Sequence, residues 1–96
     1  MSKWYIYGAG GLGLETMDIL LDYLDSSKIR DIEVCFLVDN PEVSSVNGVP
    51  VTAWSDCDPT GRVTIAVGEP EIRAVLANKC GSKGLRLSSV ISPKAY

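Results

Sequence analysis

The chain has 96 residues, with 9 Lys+Arg against 12 Asp+Glu, a net charge of −3 and no histidine. The length fits one domain, 46% hydrophobic with 22% charged residues describes a globular chain, and the acidic balance argues against a nucleic-acid or anionic-membrane partner. Without histidine the chain cannot hold a Ser-His-Asp triad, a Cys-His pair, an imidazole base or a histidine-ligated zinc.

Trp4-Tyr5-Ile6-Tyr7 reads as a short strand, and Gly8-Ala9-Gly10-Gly11-Leu12-Gly13 follows it as a tight turn. From Leu12 to about Leu24, apolar residues recur at Leu14, Met17, Leu20, Leu21 and Leu24, which lie on one helical face. Glu15, Asp18, Asp22 and Asp25 form its solvated side, and Ser26-Ser27-Lys28 ends the helix. Ile32–Val38 is a near-continuous apolar run, the pattern of a strand buried on both faces of a parallel sheet; it stops at Asp39-Asn40-Pro41. Between Pro41 and Gly61 the chain is rich in Ser, Asn, Gly, Pro and Asp. There, Gly48–Val51 reads as a short strand entered by a turn, and Ala53–Asp56 as one helical turn with Trp54 as a packing residue. Val63–Val67 predicts another buried strand ending at Gly68. Glu69-Pro70-Glu71 opens a second helix, with Ile72, Val75, Leu76 and Lys79 on one stripe and Gly81 as its stop. Leu85–Ile91 is the last strand, and Ser92–Tyr96 leaves the sheet as the start of a linker to a further domain.

Strands alternating with helices in the order β-α-β-β-β-α-β predict an α/β fold: a small Rossmann-like, three-layer domain over residues 1–91 with a mostly parallel sheet. No run approaches the roughly 20 apolar residues that cross a bilayer, and no secretory signal is visible. Cys35, Cys57 and Cys80 are odd in number and widely spaced, with Cys35 a core residue and the other two near turns; this pattern fits a reducing, cytoplasmic compartment.

Gly8, Gly10 and Gly13 match G-x-G-x-x-G between a strand and a helix. In that context the first glycine makes the turn, the second admits a phosphate to the backbone, and the third lets helix and strand approach. Free N–H groups and the positive dipole end of the helix then favour an anion. Asp39 and Asn40 close the second strand on the same sheet edge, where a carboxylate meets ribose; the alternative is a plain turn opened by Asp-Asn-Pro. Gly68 ends the third long strand on that edge, either lining the crevice or permitting a turn, and Arg73 either reaches a phosphate or lies on a solvated face.

The ordered set Gly8-Ala9-Gly10-Gly11-Leu12-Gly13, Phe36-Leu37-Val38-Asp39-Asn40-Pro41, Asn47-Gly48-Val49-Pro50-Val51, Ala66-Val67-Gly68 with Ile72-Arg73, and Val90-Ile91-Ser92-Pro93 resembles the N-terminal domain of bacterial sugar O- and N-acyltransferases. These are of the sialic-acid O-acetyltransferase and UDP-4-amino-sugar N-acetyltransferase type. The resemblance implies a domain that binds the nucleotide part of a UDP-sugar and is followed by a left-handed β-helix carrying acetyl-CoA as co-substrate and the catalytic histidine, in a homotrimer. It implies that the turn from Gly8 to Gly13, Leu12 included, cradles the ligand near its phosphates, that Asp39 and Asn40 meet the uridine end, and that these 96 residues bind without catalysing. Two other readings stand beside it: an NAD-type dinucleotide-binding module, and an assembly domain with no ligand.

Overall fold

Trp4 to Tyr7 are all buried, and they belong to β1 (Ser2–Tyr7), which lies inside a sheet rather than at its edge. A computed structural model describes residues 2–8 and 11–88. Its further elements are α1 (Gly11–Ser26), β2 (Ile32–Val38), β3 (Ser45–Val46), β4 (Val49–Ala53), β5 (Arg62–Ile65), α2 (Pro70–Lys83) and β6 (Arg86–Leu87). The strand order is β3-β4-β2-β1-β5-β6, parallel throughout except for the β3–β4 hairpin. The α/β architecture is the expected one.

Side-chain alternation sorts the core into two layers. Trp4, Ile6 and Phe36 face Met17, Leu20 and Leu24 of α1. Tyr5, Tyr7, Cys35, Leu37 and Val63 face Cys80 of α2, Cys57 and Leu85. One helix therefore covers each face, and β1 and β2 are apolar on both. Fully burying a side chain such as Leu20 is worth roughly 1.5–3 kcal/mol. Polar groups drawn inside are paired. The Trp4 indole N–H donates to Thr64 Oγ1 at 2.9 Å, Thr64 donates to the Ser88 carbonyl at 2.8 Å, and the Tyr5 hydroxyl accepts the Asp58 N–H at 2.8 Å.

Several expectations need correction. α1 starts at Gly11, one residue before Leu12, and ends at Ser26 as Ser26-Ser27-Lys28 indicates; just beyond it Lys28 takes a left-handed φ of 57° and Ile29 N–H closes on the Leu24 carbonyl. β3 was not expected, since two residues carry no alternation. It exists because Asn47 and Gly48 both take positive φ (50° and 79°), the two-residue turn whose twist matches a hairpin. The third long strand runs from Arg62 to Ile65 rather than from Val63 to Val67. α2 passes through Gly81 and stops at Gly84, whose φ of 104° is the left-handed cap; Gly84 N–H and Leu85 N–H bond the Gly81 and Cys80 carbonyls. Ile72 and Val75 do not form its buried stripe: they are exposed, and Cys80 is the fully buried residue, inside the helix rather than at a turn. The last strand is described only at Arg86–Leu87; the expectations for residues 89–91 and for the linker at 92–96 lie outside the described residues. No helix among the described residues is long and apolar enough to cross a membrane.

Candidate functional site

The sheet order reverses at β1. From β1 the chain moves to β2 on one side and later returns to β5 on the other. In open parallel sheets a crevice forms outside the carboxyl ends of the strands at such a point, and small molecules bind there. The strand-to-helix turn and the segment after β5 both lie at this edge. Gly8 N–H bonds the Leu37 carbonyl at 3.0 Å and Ala66 N–H bonds the Tyr7 carbonyl at 3.1 Å, which fixes the ends of β1, β2 and β5 together.

The glycines differ in what they do. Gly8 takes a φ of 113°, which side-chain-bearing residues rarely adopt. Gly13 is buried against Gly8. A Cβ on Gly13 would stand 2.8 Å from the Gly8 carbonyl carbon and nearer still to its oxygen. This is the close helix-to-strand approach anticipated from the spacing. Gly11 is exposed with free space around it, and so is Gly68, so neither needs to be glycine for room. Ala9 and Gly10 lie outside the described residues.

A cleft of about 470 Å³ opens beside this junction, between the N-terminal halves of α1 and α2 and against β5 and β6. Leu12 and Thr16 line it from α1, Ile65 and Ala66 from the end of β5, and Arg73 and Ala77 from α2. Leu12 is 44% exposed and presents an apolar wall. Arg73 lines the cleft, but its guanidinium already donates Nε and Nη2 to the Val67 carbonyl at 3.1 and 3.0 Å. It is thus a cap on the post-β5 loop as well as the cleft's cation.

On the other side of β1, Asp39 does stand at the carboxyl end of β2, but it is not a free carboxylate. Its Oδ1 accepts the Tyr7 hydroxyl at 2.5 Å and the Lys79 ammonium at 2.6 Å, and Lys79 also donates to Tyr7 Oη at 2.9 Å. The Lys79 ammonium lies 4.4 Å from the centre of the Trp54 ring. Lys83 lies 4.3 Å from the same ring and donates to the Trp54 carbonyl. Trp54 packs on Tyr7, as its packing assignment requires, and is also the floor of this cationic cluster. Asn40 is exposed beside it. Tyr7, Lys79 and Lys83 were not singled out as site residues. The one sequence signal for Lys79 was a charged residue continuing an otherwise apolar stripe.

Lys79 foremost, then Tyr7, holds the Asp39 carboxyl below its ordinary pKa. A depressed carboxylate contributes stability above its unfolded value and loses it as pH falls through the folded one. With the Asp39 side chain 54% exposed, the gain is small. In an NMR titration the Asp39 carboxyl should therefore ionise at lower pH than a free aspartate, and Lys79→Met should return its midpoint toward the ordinary value; an unchanged midpoint would show that the pair does not persist in solution.

Among the described residues no group of three or more His, Cys, Asp or Glu gathers as a metal would require. Neither a protein-family model nor a curated protein matches this chain.

Proposed function

We propose that the chain is the nucleotide-sugar-binding domain of a sugar acyltransferase, one that moves acetyl from acetyl-CoA to a sugar amine or hydroxyl. The observation that carries this reading is the Gly8–Gly13 contact at the point where the sheet order reverses: a positive-φ glycine backed by a helix too close to tolerate a Cβ. Such a junction brings the N-terminal end of α1 to the sheet edge, where its unpaired N–H groups suit a diphosphate. The first turn of α1 contains no acidic residue, whereas that of α2 holds Glu71. The protein's own carboxylates thus complement the dipole of α2 and leave that of α1 to an external anion.

In this reading the diphosphate rests on the glycine turn, the uridine extends toward Asp39 and Asn40, and the sugar enters the cleft lined by Leu12 and Arg73. The chain's residues bind and orient; the family resemblance assigns the acetyl-transfer histidine and the acetyl-CoA site to another part of the enzyme, and this sequence holds no histidine. The working compartment is the cytoplasm, where three free, buried thiols remain reduced. The hairpin that fills the β2–β4 crossover, in place of the helix usual in a dinucleotide-binding half, favours this reading over an NAD module.

Calorimetric titration with UDP, UDP-N-acetylglucosamine and NADH tests it. Saturable binding of the two uridine ligands, weakened by added salt, is the expected result. No heat from either at millimolar concentration, or tighter binding of NADH, overturns it.

A further inference from the structure

The contact between Lys79 and Asp39 is an exposed ion pair, with the two side chains 35% and 54% accessible, and such pairs contribute little to stability. Yet three segments besides the one bearing Asp39 converge to build it. Tyr7 comes from the end of β1, Trp54 follows β4, and Lys79 and Lys83 come from α2. Lys79 gives up the freedom of a long side chain to sit between the Asp39 carboxylate, the Tyr7 hydroxyl and the Trp54 ring. The arrangement acts on a single atom. Both donors go to Asp39 Oδ1, and among the described residues no donor reaches Oδ2. An ionised carboxylate has acceptor positions on both oxygens, so half of its capacity is fixed and half is open.

Resting on the nucleotide reading above, we propose that Lys79 is a positioning residue: with Tyr7 it pins Oδ1 of Asp39 so that Oδ2 is held ready for a ribose 2′-hydroxyl, which makes the domain selective for ribonucleotides over their 2′-deoxy counterparts. Without the pin an exposed aspartate turns between rotamers, and each bound state must order it again. Lys79 has a second effect that is separable from the first. Gly8 N–H bonds the carbonyl of Leu37, two residues before Asp39, so an unneutralised Asp39 would add negative charge at the sheet edge where the phosphates are proposed to sit, and the ammonium offsets it. Loss of Lys79 should therefore weaken every phosphate-bearing ligand somewhat, while only loss of positioning changes the ratio between ribose and deoxyribose.

The experiment is calorimetric titration of the whole chain with UDP and with 2′-deoxy-UDP, for the parent protein and for Lys79→Met, Lys79→Arg, Tyr7→Phe and Asp39→Asn, each first checked for cooperative unfolding. A hydrogen bond to a charged group supports a preference of about tenfold or more for UDP in the parent. Lys79→Met should bring the ratio to within about twofold of unity, Asp39→Asn should reduce it as well, and Lys79→Arg should restore most of it. Should Lys79→Met fail to fold, Lys79→Gln is read in its place. A parent ratio near unity, or a ratio unchanged by Lys79→Met while UDP still binds, overturns the positioning role alone. Absence of UDP binding to the parent overturns the nucleotide reading and this inference with it.

Discussion

Gly13→Ala is expected to cost more than about 3 kcal/mol of stability and to abolish ligand binding at the junction. The added methyl has nowhere to go. Its obstacle is the Gly8 backbone, which cannot turn aside as a flexible side chain would. Relief requires α1 to lift from the sheet, and that separates Met17, Leu20 and Leu24 from Trp4, Ile6 and Phe36. The same displacement carries the helix N-terminus away from the edge where an anion would meet it. Gly68→Ala is the control, because a Cβ there meets nothing within 4 Å and the backbone does not need a positive φ; its effect should lie within about 0.5 kcal/mol of zero. Urea unfolding of the three proteins measures this. A Gly13→Ala variant as stable as the control would show that the helix does not sit so near β1.

Alkaline pH is expected to destabilise the fold through Cys80. This thiol is fully buried, and burial pushes its pKa from 9.0 up to about 11. The sign follows from proton counts. Between these values the unfolded chain has released the proton and the folded chain still holds it, so stability is intact below pH 9 and declines as pH rises toward 11. At full extent two pKa units amount to roughly 2–3 kcal/mol. Burial also raises the Tyr5 hydroxyl from its ordinary 10.0, which adds a loss of the same sign as pH rises above that value. Denaturation midpoints measured at pH 8 and pH 10.5 should show the decline, and Cys80→Ala should flatten it. The same burial predicts that none of the three thiols reacts with a disulfide reagent in the native protein at pH 8 and that all three react once it is unfolded. Rapid native labelling of Cys80, or an alkaline decline that Cys80→Ala leaves intact, contradicts the assignment.

These two sites stand at opposite ends of what a sequence makes legible. The Gly13 contact is local: four residues separate it from Gly8, and the spacing already implies a strand, a turn and a helix pressed together. The burial of Cys80 depends on which side of α2 meets the sheet. The stripe through Ile72 and Val75 pointed to a different side, because weak amphipathicity in a short helix leaves its rotation open. That rotation is set by what the sheet presents beneath it: Tyr5 and Tyr7 of β1, Cys35 and Leu37 of β2, and Val63 of β5.

The order of the main elements, the two-sided burial of β2, and the closeness of α1 to β1 were determined by the sequence alone, because apolar runs and glycine spacing act within one or two turns of chain. Asp39 could be placed at a strand end on the same grounds. Its partners could not, since Tyr7 and Lys79 lie 32 and 40 residues away and the link between them is a property of packing rather than of pattern. Tertiary structure decided that the carboxylate is held rather than free, that Arg73 is bound to a carbonyl, and that Trp54 carries two ammonium groups on its ring. For Asp39 and Trp54 the cause is the same: long cationic side chains choose their partners after the sheet and helices have set the distances, and local sequence encodes no preference among partners so far apart; Arg73 finds its carbonyl only six residues away, once the loop after β5 has turned it toward α2.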